Sequence, residues 1–438
     1  MQFPDTIFAL SSGKPPSGVA VIRISGPGSQ AALEAVAGNV PAARKAVLAT
    51  LRAPDGEAID RGLAIFFPGP ASFTGEDCAE LHLHGGRAVV SAMLATLSGF
   101  DGVRPAEAGE FTRRAFLNGK MDLVEAEALA DLVAAETDAQ RRFALVGAGG
   151  SQSVLYAGWR KRILHARAMI EAELDFADEG DVPGSVAAAV WEDVRHLVGE
   201  IEAHLSGFRQ AEIIREGYSV VIVGAPNAGK SSLLNALARR DVAIVTDEPG
   251  TTRDLVHVAL DLGGLKVVVT DTAGIREATG KVEAIGIQRA LDSVRRADLV
   301  LLLEDMAKPG GVAVPATDAP VLRIGSKSDL VGEAAGGDYD IAVSVRSSAG
   351  VNDLLTMISQ RAAGATDAHG GIIPARARHV ALLKDAARNL AAAGRRDRGL
   401  ELRAEELRRA ADSFGRIAGS IDVEDVLGVI FSEFCIGK

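Results

Sequence analysis

The feature that most constrains the fold of this 438-residue chain is the stretch GAPNAGKS at residues 224–231. It follows an apolar run at 218–223 and precedes a helical pattern, which is the strand, loop and helix order of a phosphate-binding P-loop. The glycines allow several backbone N–H groups to converge on phosphate oxygens. Lys230 would neutralise the β- and γ-phosphates, and the Ser231 hydroxyl would bind Mg²⁺. The stretch predicts binding of a nucleoside triphosphate, and a glycine-rich turn without a ligand is the alternative.

Two later stretches complete the pattern of a P-loop hydrolase with two switch segments. The first is GTTRD at residues 250–254, in which Thr252 is our candidate for completing the Mg²⁺ shell and Thr251 is the competitor. The second, DTAG, follows a β-branched run, so that Asp271 reaches the metal site and the Gly274 N–H senses the γ-phosphate. Taken alone, this second stretch is equally typical of a surface turn.

The stretch GSKSD at residues 325–329, which follows a strand-like run and contains Lys327, predicts guanine recognition. The Asp329 carboxylate can accept from both N1–H and the exocyclic amine of guanine, a donor pair that adenine lacks. GTPases usually carry Asn where this chain has Ser326, so we expect one cross-link to the P-loop to be shortened or lost. Val345 departs from the usual pattern in the last base-contacting loop. A solvated loop is the alternative for residues 325–329.

The residue that orients the attacking water is not where Ras-like enzymes place it. The position directly after the second switch holds the apolar Ile275 instead of glutamine. Glu283, in the segment that follows, has a carboxylate able to orient water or to accept its proton. The alternative for Glu283 is an ordinary solvated loop carboxylate.

These stretches carry a resemblance that covers essentially the whole chain. The segments 226–237, 244–254, 271–277 and the ending FCIGK at 434–438 resemble the MnmE family, also called TrmE, of tRNA uridine-34 modification GTPases. The amino-terminal part matches as well, in the stretches GVAVIRISG, FTGED, HLHGG and GEFTRRAFLNGK at residues 18–26, 73–77, 82–86 and 109–120.

The resemblance implies a set of nucleotide and metal ligands. In that family K⁺ takes the place of an arginine finger, and two G domains meet across their nucleotides, so hydrolysis depends on dimerisation. Glu283 matches the family's water-orienting residue, and Ser231 and Thr252 match its Mg²⁺ ligands. The implied K⁺ ligands are Asn227, Thr246, Glu248 and Thr251. The implied GTP-binding residues are Asn227, Ala228, Gly229, Lys230, Ser231, Ser232, Thr246, Thr251, Thr252, Asp271, Gly274, Lys327 and Asp329.

The amino-terminal part resembles the family's folate-binding and dimerising module. Arg23, Glu80, Lys120 and Lys438 match the positions that hold 5-formyl-tetrahydrofolate. Cationic side chains suit the glutamate tail and the pterin carbonyl, and a carboxylate can accept from the pterin amine. Cys435, beside this implied pocket, is a candidate reactive thiol.

The activity implied by the resemblance is a K⁺-stimulated GTPase that forms a homodimer through its amino-terminal domain. It acts on tRNA with an FAD-containing, MnmG-like partner in a heterotetramer. Together they add a carboxymethylaminomethyl or aminomethyl group at C5 of wobble uridine 34, with 5-formyl- or 5,10-methylene-tetrahydrofolate as the one-carbon source. Two alternatives stay open: a regulatory or ribosome-assembly GTPase without a modification role, and a folate-binding scaffold with a vestigial G domain.

Periodicity and composition predict a multidomain α/β plus all-α fold. Residues 1–119 are expected to form an α+β domain, for which the resemblance implies folate binding and dimerisation. A Ras-like P-loop GTPase domain at 216–365 is expected to be inserted between the halves of a helical domain at 120–215 and 366–438. Short strands are expected at 19–24, 63–67 and 79–83. Helices are expected at 88–97, 124–135, 155–175, 190–208, 374–393, 400–418 and 422–431.

Charge and cysteine content limit the remaining function classes. The net charge of −11 repels nucleic acid on average, so binding of tRNA needs a local patch, for which the arginine-rich residues 376–416 are the candidate. An ordinary charged helix face is as good an interpretation, because no aromatic residues are interleaved. Cys78 and Cys435 are too few for a disulfide framework and suit a reducing cytosol.

Two further observations concern localisation and metals. The amino terminus lacks the basic region of a signal peptide, and no apolar run approaches the roughly 18 residues of a membrane span, which predicts a cytoplasmic protein. Three potential metal ligands, Cys78, His82 and His84, lie close together in sequence. The absence of a fourth ligand nearby favours a structural role for them.

Overall fold

The structure is a computed structural model, and it divides into two compact units. The first unit comprises Met1–Ala130, Gly147–Lys161 and Ala411–Lys438, and the second comprises Asp131–Val146 and Arg162–Ala410. The residues that the structure describes are 3–175, 185–244, 257–271, 291–310, 316–331, 338–366, 372–421, 424–432, 434, 436 and 437.

The first unit is built on a six-stranded sheet. Its strands are β1 (Thr6–Leu10), β2 (Ser17–Ser25), β3 (Val47–Arg52), β4 (Ala58–Phe67), β5 (Cys78–Gly85) and β6 (Val103–Pro105). They lie in the order β3-β4-β5-β2-β1-β6, and every neighbouring pair is antiparallel except β1 and β6. Two helices, α1 (Ser29–Ala37) and α2 (Arg87–Ser98), pack on the sheet.

Alternation along the strands separates a buried face of this sheet from a polar face. Ile22, Ile24 and Leu81 are fully buried in the core that the two helices cover. Because successive side chains of a strand point to opposite faces, Arg23 and Glu80 lie on the other face. The polar face therefore carries Arg23 and Glu80, two of the four candidate folate ligands.

The last residues of the chain complete the first unit. The helices α3 (Glu110–Leu117) and α13 (Glu424–Ser432) pack together, with the rings of Phe116 and Phe431 6.3 Å apart. Ser11 Oγ donates to Gly437 O over 2.9 Å, and Ala108 forms an isolated β-bridge with Ile436. The amino-terminal sheet and the end of the chain are thus parts of one packed body.

The second unit contains another six-stranded sheet, which is largely parallel. Its strands are β7 (Tyr218–Gly224), β8 (His257–Leu262), β9 (Leu265–Asp271), β10 (Leu299–Asp305), β11 (Val321–Ser326) and β12 (Ile341–Val343). They lie in the order β12-β11-β10-β7-β9-β8, and only β8 and β9 pair antiparallel. The carboxyl ends of five parallel strands therefore meet along one edge, which is where α/β sheets bind ligands.

The remaining described helices lie wholly or partly in the second unit. Those in or entering the second unit are α4 (Leu123–Ala134), α5 (Asp138–Ala148), α6 (Ser151–Asp175), α7 (Ser185–Ser206), α8 (Phe208–Glu216), α9 (Lys230–Ala238), α10 (Val351–Thr366), α11 (Ala377–Ala393) and α12 (Leu400–Ala418). α7 and α11 form the most extensive helix pair, and Leu197, Ile201, Leu383 and Leu390 on them are fully buried. None of the described helices is long and apolar enough to cross a bilayer.

A turn of the second sheet is fixed to a neighbouring helix. Ala139 N, at the start of α5, donates to Gly264 O in the β8–β9 turn over 3.0 Å. Lys266 Nζ on β9 forms an ion pair with Glu136 Oε2 at 2.6 Å. Gly264 has a φ of +85°, a left-handed conformation that glycine adopts without strain.

The expected fold class is confirmed, whereas some element boundaries differ. The strands expected in the first unit fall within β2, β4 and β5, but β1, β3 and α5 were not foreseen. The helix expected at 190–208 corresponds to α7, which ends two residues earlier, at Ser206, and α8 begins at Phe208. Gly207 lies between them, and a Cβ there would lie 2.3 Å from Ile373 Cγ2, so the close approach of Ile373 favours glycine.

Candidate functional site

The P-loop occupies the carboxyl edge of the second sheet, between β7 and α9. Gly224 ends β7 so close to β10 that a Cβ would lie 2.3 Å from Leu303 O. Asn227 and Gly229 adopt left-handed φ angles of 66° and 93°, which turn the loop back toward the helix. Lys230 then begins α9, so the N–H groups of the first turn of this helix lie at its loop end.

Two polar side chains of the P-loop, those of Lys230 and Ser231, contact groups at the carboxyl edge of the sheet. Lys230 is 7% exposed, and its Nζ donates to Gly224 O over 2.9 Å and to Ala225 O over 2.8 Å. Ser231 Oγ donates to Asp271 Oδ2 over 2.6 Å, which joins the P-loop to the end of β9. A hydroxyl beside a buried carboxylate is a set of oxygen ligands that Mg²⁺ prefers.

The other three predicted P-loop side chains differ in exposure. Ala228 is 1% exposed and packs in the core of the second unit, so only its backbone can contact a nucleotide. Ser232 and Asn227 are exposed to solvent. Asn227 is therefore accessible to a cation approaching from outside the loop.

The predicted guanine-binding loop follows β11, at the same sheet edge. Ser344 is fully buried, and its Oγ donates to Asp329 Oδ1 over 2.7 Å, which orients that carboxylate. Lys327 has a φ of 58°, and its Nζ lies 2.6 Å from Asp305 Oδ2. The hydrogen bond from Lys327 lowers the pKa of Asp305. Ser344 lies in the last base-contacting loop that the sequence indicates, whereas Asp305 was not singled out, because its contact with Lys327 spans 22 residues.

Ser326 keeps the cross-link to the P-loop that the sequence predicts to be shortened or lost. Its Oγ is 2.7 Å from Ala228 O and 3.0 Å from Glu304 O, and the residue is 5% exposed. Of the two expected outcomes, a shortened or a lost cross-link, the loss is wrong, because β11 ends beside the loop and the short serine side chain reaches the carbonyl. A hydroxyl has one proton, and it therefore donates to one of the two carbonyls at a time.

The polar face of the first sheet brings together two of the candidate folate ligands. Arg23 on β2 and Glu80 on β5 are direct cross-strand partners. Arg23 Nε and Nη2 donate to Glu80 Oε1 over 3.1 and 3.0 Å. The guanidinium also lies 5.1 Å from the ring centre of Phe73 and 5.9 Å from that of Phe111. These contacts fix the plane of the guanidinium.

Lys120 lies at a separate opening of the same unit. Its Nζ donates to Pro70 O over 2.9 Å, and it lines a cleft of about 620 Å³ together with Phe3, Glu76 and Asn118. A cleft of this volume matches the usual size of small-molecule sites. The structure thus supports a binding cavity at Lys120, while Arg23 and Glu80 form a pair of their own.

A buried ionic cluster supports this cleft, and sequence reasoning missed it. Arg114, 1% exposed, donates to Asp5, Glu76 and Glu110 at distances of 2.9–3.4 Å. Burial acts to raise the pKa of Glu110, but hydrogen bonds from Arg104, the backbone at residue 107 and Arg114 outweigh it and lower that pKa to about 2. The i, i+4 spacing of Glu110 and Arg114 in GEFTRRAF was the available signal.

The cysteine and histidine candidates have other partners in the structure. Cys78 is a free, buried thiol 3.2 Å from Thr74 Oγ1. His82 Nε2 lies 3.2 Å from Glu80 Oε2, and His84 Nδ1 lies 2.8 Å from Asp60 Oδ1. No cluster of three or more metal-ligating side chains occurs among the residues that the structure describes.

The arginine-rich interval 376–416 is partly neutralised by acids of its own helices. Arg403 is 8% exposed, donates to Ala393 O over 2.7 Å and stacks on Trp191. The ion pairs within the second unit join Arg388 to Asp385, Arg395 to Asp397, Arg398 to Glu406, and both Arg408 and Arg409 to Glu405. Only part of this charge is available to a polyanion.

Eight predicted site residues lie outside the described part of the chain. They comprise the first-switch and K⁺-loop residues, the second-switch glycine, the catalytic candidate and two residues of the ending. These are Thr246, Glu248, Thr251, Thr252, Gly274, Glu283, Cys435 and Lys438. Their roles stay predictions.

Comparison with known proteins agrees with both units. The family model described as "MnmE helical domain" matches residues 123–435, and that described as "GTP-binding protein TrmE N-terminus" matches residues 6–120. The chain is 64% identical to the tRNA modification GTPase MnmE of Mesorhizobium japonicum, over 99% of each chain. It is 61% identical to that of Chelativorans sp., over 99% of this chain and 98% of the relative.

A solved structure adds little to these sequence matches. The crystal structure of a GTP-binding protein from Sulfolobus solfataricus in complex with GDP covers 47% of this chain and 67% of that chain, at 18% identity and a TM-score of 0.24. A likeness this low carries no argument. The two family models and the near full-length identities do, and the chain belongs to the MnmE family of tRNA modification GTPases.

Proposed function

We propose that this GTP hydrolase of tRNA modification works as a K⁺-stimulated homodimer in the cytoplasm. With an FAD-containing, MnmG-like partner it adds a carboxymethylaminomethyl or aminomethyl group at C5 of wobble uridine 34. The observation that carries the hydrolase part is the meeting of Lys230, Ser231, Asp271 and Asp329 at the carboxyl edge of one sheet. At this edge, phosphate, metal and base recognition would act on one bound nucleotide.

The P-loop geometry supports separate roles for Lys230 and Ser231 at the phosphates. Lys230 would exchange its two loop carbonyls for the β- and γ-phosphate oxygens, which are stronger acceptors for an ammonium group. Ser231 would turn from Asp271 to Mg²⁺, with Thr252 as the proposed second side-chain ligand. When bound, Mg²⁺ offsets the negative charge on the triphosphate.

Asn227 supports the proposed K⁺ site. Its side chain is exposed to solvent in the P-loop, where a monovalent cation could reach the phosphates. Thr246, Glu248 and Thr251 are proposed as the remaining ligands. A cation at this position offsets charge that develops during transfer, so no arginine from a second protein is needed.

Glu283 is the proposed residue that orients the attacking water. A carboxylate can accept a proton of water directly or through a second water. Glu283→Ala should abolish GTP turnover and leave GTP binding unchanged. Turnover at the wild-type rate would rule the assignment out, and Glu277→Ala, a nearby carboxylate, serves as the control.

Arg23, Glu80, Lys120 and Lys438 are the proposed ligands of 5-formyl- or 5,10-methylene-tetrahydrofolate. The Arg23–Glu80 pair offers donors and an acceptor at one place, which suits a pterin with its carbonyl and amine. Lys120 lies at a cleft large enough for such a ligand. Cys435 is proposed as a reactive thiol, and residues 376–416 as the tRNA-facing surface.

The experiment measures GTP hydrolysis in K⁺ and in Na⁺ at several protein concentrations, alongside titration with 5-formyl-tetrahydrofolate. The proposal predicts faster hydrolysis in K⁺, a rate per protomer that rises with concentration, and folate binding. Equal rates in both salts from a monomer would overturn the K⁺-dependent dimer. Hydrolysis without folate binding or any effect on wobble uridine would favour a regulatory or ribosome-assembly GTPase, and negligible hydrolysis with folate binding would favour a scaffold.

A further inference from the structure

His82 is a neighbour of Glu80 that the proposed folate site does not yet use. The two residues lie two positions apart on β5, so their side chains share the polar face of the sheet. Glu80 Oε1 accepts from Arg23 at 3.1 and 3.0 Å, whereas Glu80 Oε2 lies 3.2 Å from His82 Nε2. The carboxylate is therefore held at both oxygens.

The contacts at both carboxylate oxygens of Glu80 determine which hydrogen bonds this side chain can still accept from a ligand. The terminal torsion of a glutamate is soft, so a contact at one oxygen alone leaves the other free to move. Two N–H groups already occupy Glu80 Oε1, and the imidazole N–H takes one of the lone pairs on Oε2. One acceptor direction on Oε2 is left for a ligand.

We propose that His82 is a positioning residue of the one-carbon carrier site, which orients Glu80 Oε2 toward the exocyclic amine of a pterin. The inference rests on the proposed folate function and adds a residue to it. His82 acts through Glu80 and is not itself a ligand. Its side chain is 29% exposed and that of Glu80 18% exposed, so both border the solvent from which a ligand would arrive.

His84 provides a matched control on the same strand and the same face. It lies two residues beyond His82, but its Nδ1 contacts Asp60 Oδ1 at 2.8 Å and its backbone N–H donates to Asp60 Oδ2 at 2.7 Å. His84 therefore ties β5 to β4 and does not touch Glu80. A general effect of removing an imidazole from β5 would appear in both positions, whereas a positioning effect would appear only at His82.

The test measures binding of 5-formyl-tetrahydrofolate to the full chain by calorimetry. His82→Leu should weaken binding about tenfold, the loss expected for one hydrogen bond to a charged group. His82→Gln, whose amide N–H can replace the imidazole donor, should stay within about threefold of the wild type. His84→Leu should bind as the wild type does. Thermal unfolding of each variant identifies any that has lost its fold.

A second comparison separates positioning from a merely structural role. In a Glu80→Ala background, His82→Leu should cause no further loss, because the residue acts only through that carboxylate. Wild-type affinity in His82→Leu, an equal loss in His84→Leu, no rescue by glutamine, or a full additional loss in the Glu80→Ala background would each overturn the inference. A wild-type chain that binds no folate would overturn the proposed folate function itself, and this inference with it.

Discussion

Ser326→Ala should weaken GTP binding without changing the preference for guanine. The hydroxyl of Ser326 is buried within reach of Ala228 O and Glu304 O, so it ties the P-loop to the ends of β10 and β11. Because the hydroxyl has one proton, the substitution removes one hydrogen bond at any time. A buried hydrogen bond is worth about 1 kcal/mol, which corresponds to about a fivefold rise in the Kd for GTP if the bound state needs the ordered loop.

Fluorescence titrations with labelled GTP and XTP would separate loop order from base choice. Ser326→Thr keeps the hydroxyl and should bind GTP nearly as the wild type does. Asp329→Asn replaces one acceptor by a donor and should shift the preference from guanine toward xanthine, which carries a carbonyl at C2. Ser326→Ala should leave the ratio of the two Kd values unchanged. An unchanged Kd for GTP, or an altered ratio, would refute this reasoning.

Three further predictions concern stability. Burial lowers the pKa of His204 from its ordinary 6.5 to about 4, so between these pH values the unfolded chain binds a proton that the folded chain does not. The free energy of unfolding should therefore fall by up to about 1.4 kcal/mol per pH unit as the pH drops from 6.5 to 4. Urea titrations of His204→Gln should lack this slope. Gly224→Ala should lower the melting temperature and abolish GTP binding, because its Cβ would meet Leu303 O at 2.3 Å, and full binding would contradict this. A double-mutant cycle on Lys266 and Glu136 should give about 0.5–1 kcal/mol of coupling, and zero coupling would show that the ion pair at the β8–β9 turn stabilises nothing.

Local patterns predicted the parts of the site that depend on neighbours in sequence. The P-loop could be read directly, because its glycines, Lys230 and Ser231 act within a few residues of each other. The strand alternation likewise predicts Arg23 and Glu80 on one face. The fold class follows from the same alternation and from the helical spacing of apolar residues.

Contacts between distant segments could not be read in this way. Ser326 reaches a carbonyl 98 residues away, and Ser344 reaches Asp329 from another loop. Whether a serine is too short for a given carbonyl depends on how closely two strands pack, which the sequence does not specify. The break at Gly207 is similar, because the reason for the glycine is the approach of Ile373.

The hydrogen bond between Ser11 and Gly437 has a consequence for synthesis. During translation Ser11 leaves the ribosome 426 residues before its partner, a delay of roughly 20–90 s at ordinary elongation rates. The second unit, which ends at Ala410, is fully synthesised before then. Until then the amino-terminal sheet lacks its contacts with the end of the chain. We therefore expect chaperones to bind the nascent chain first at this sheet.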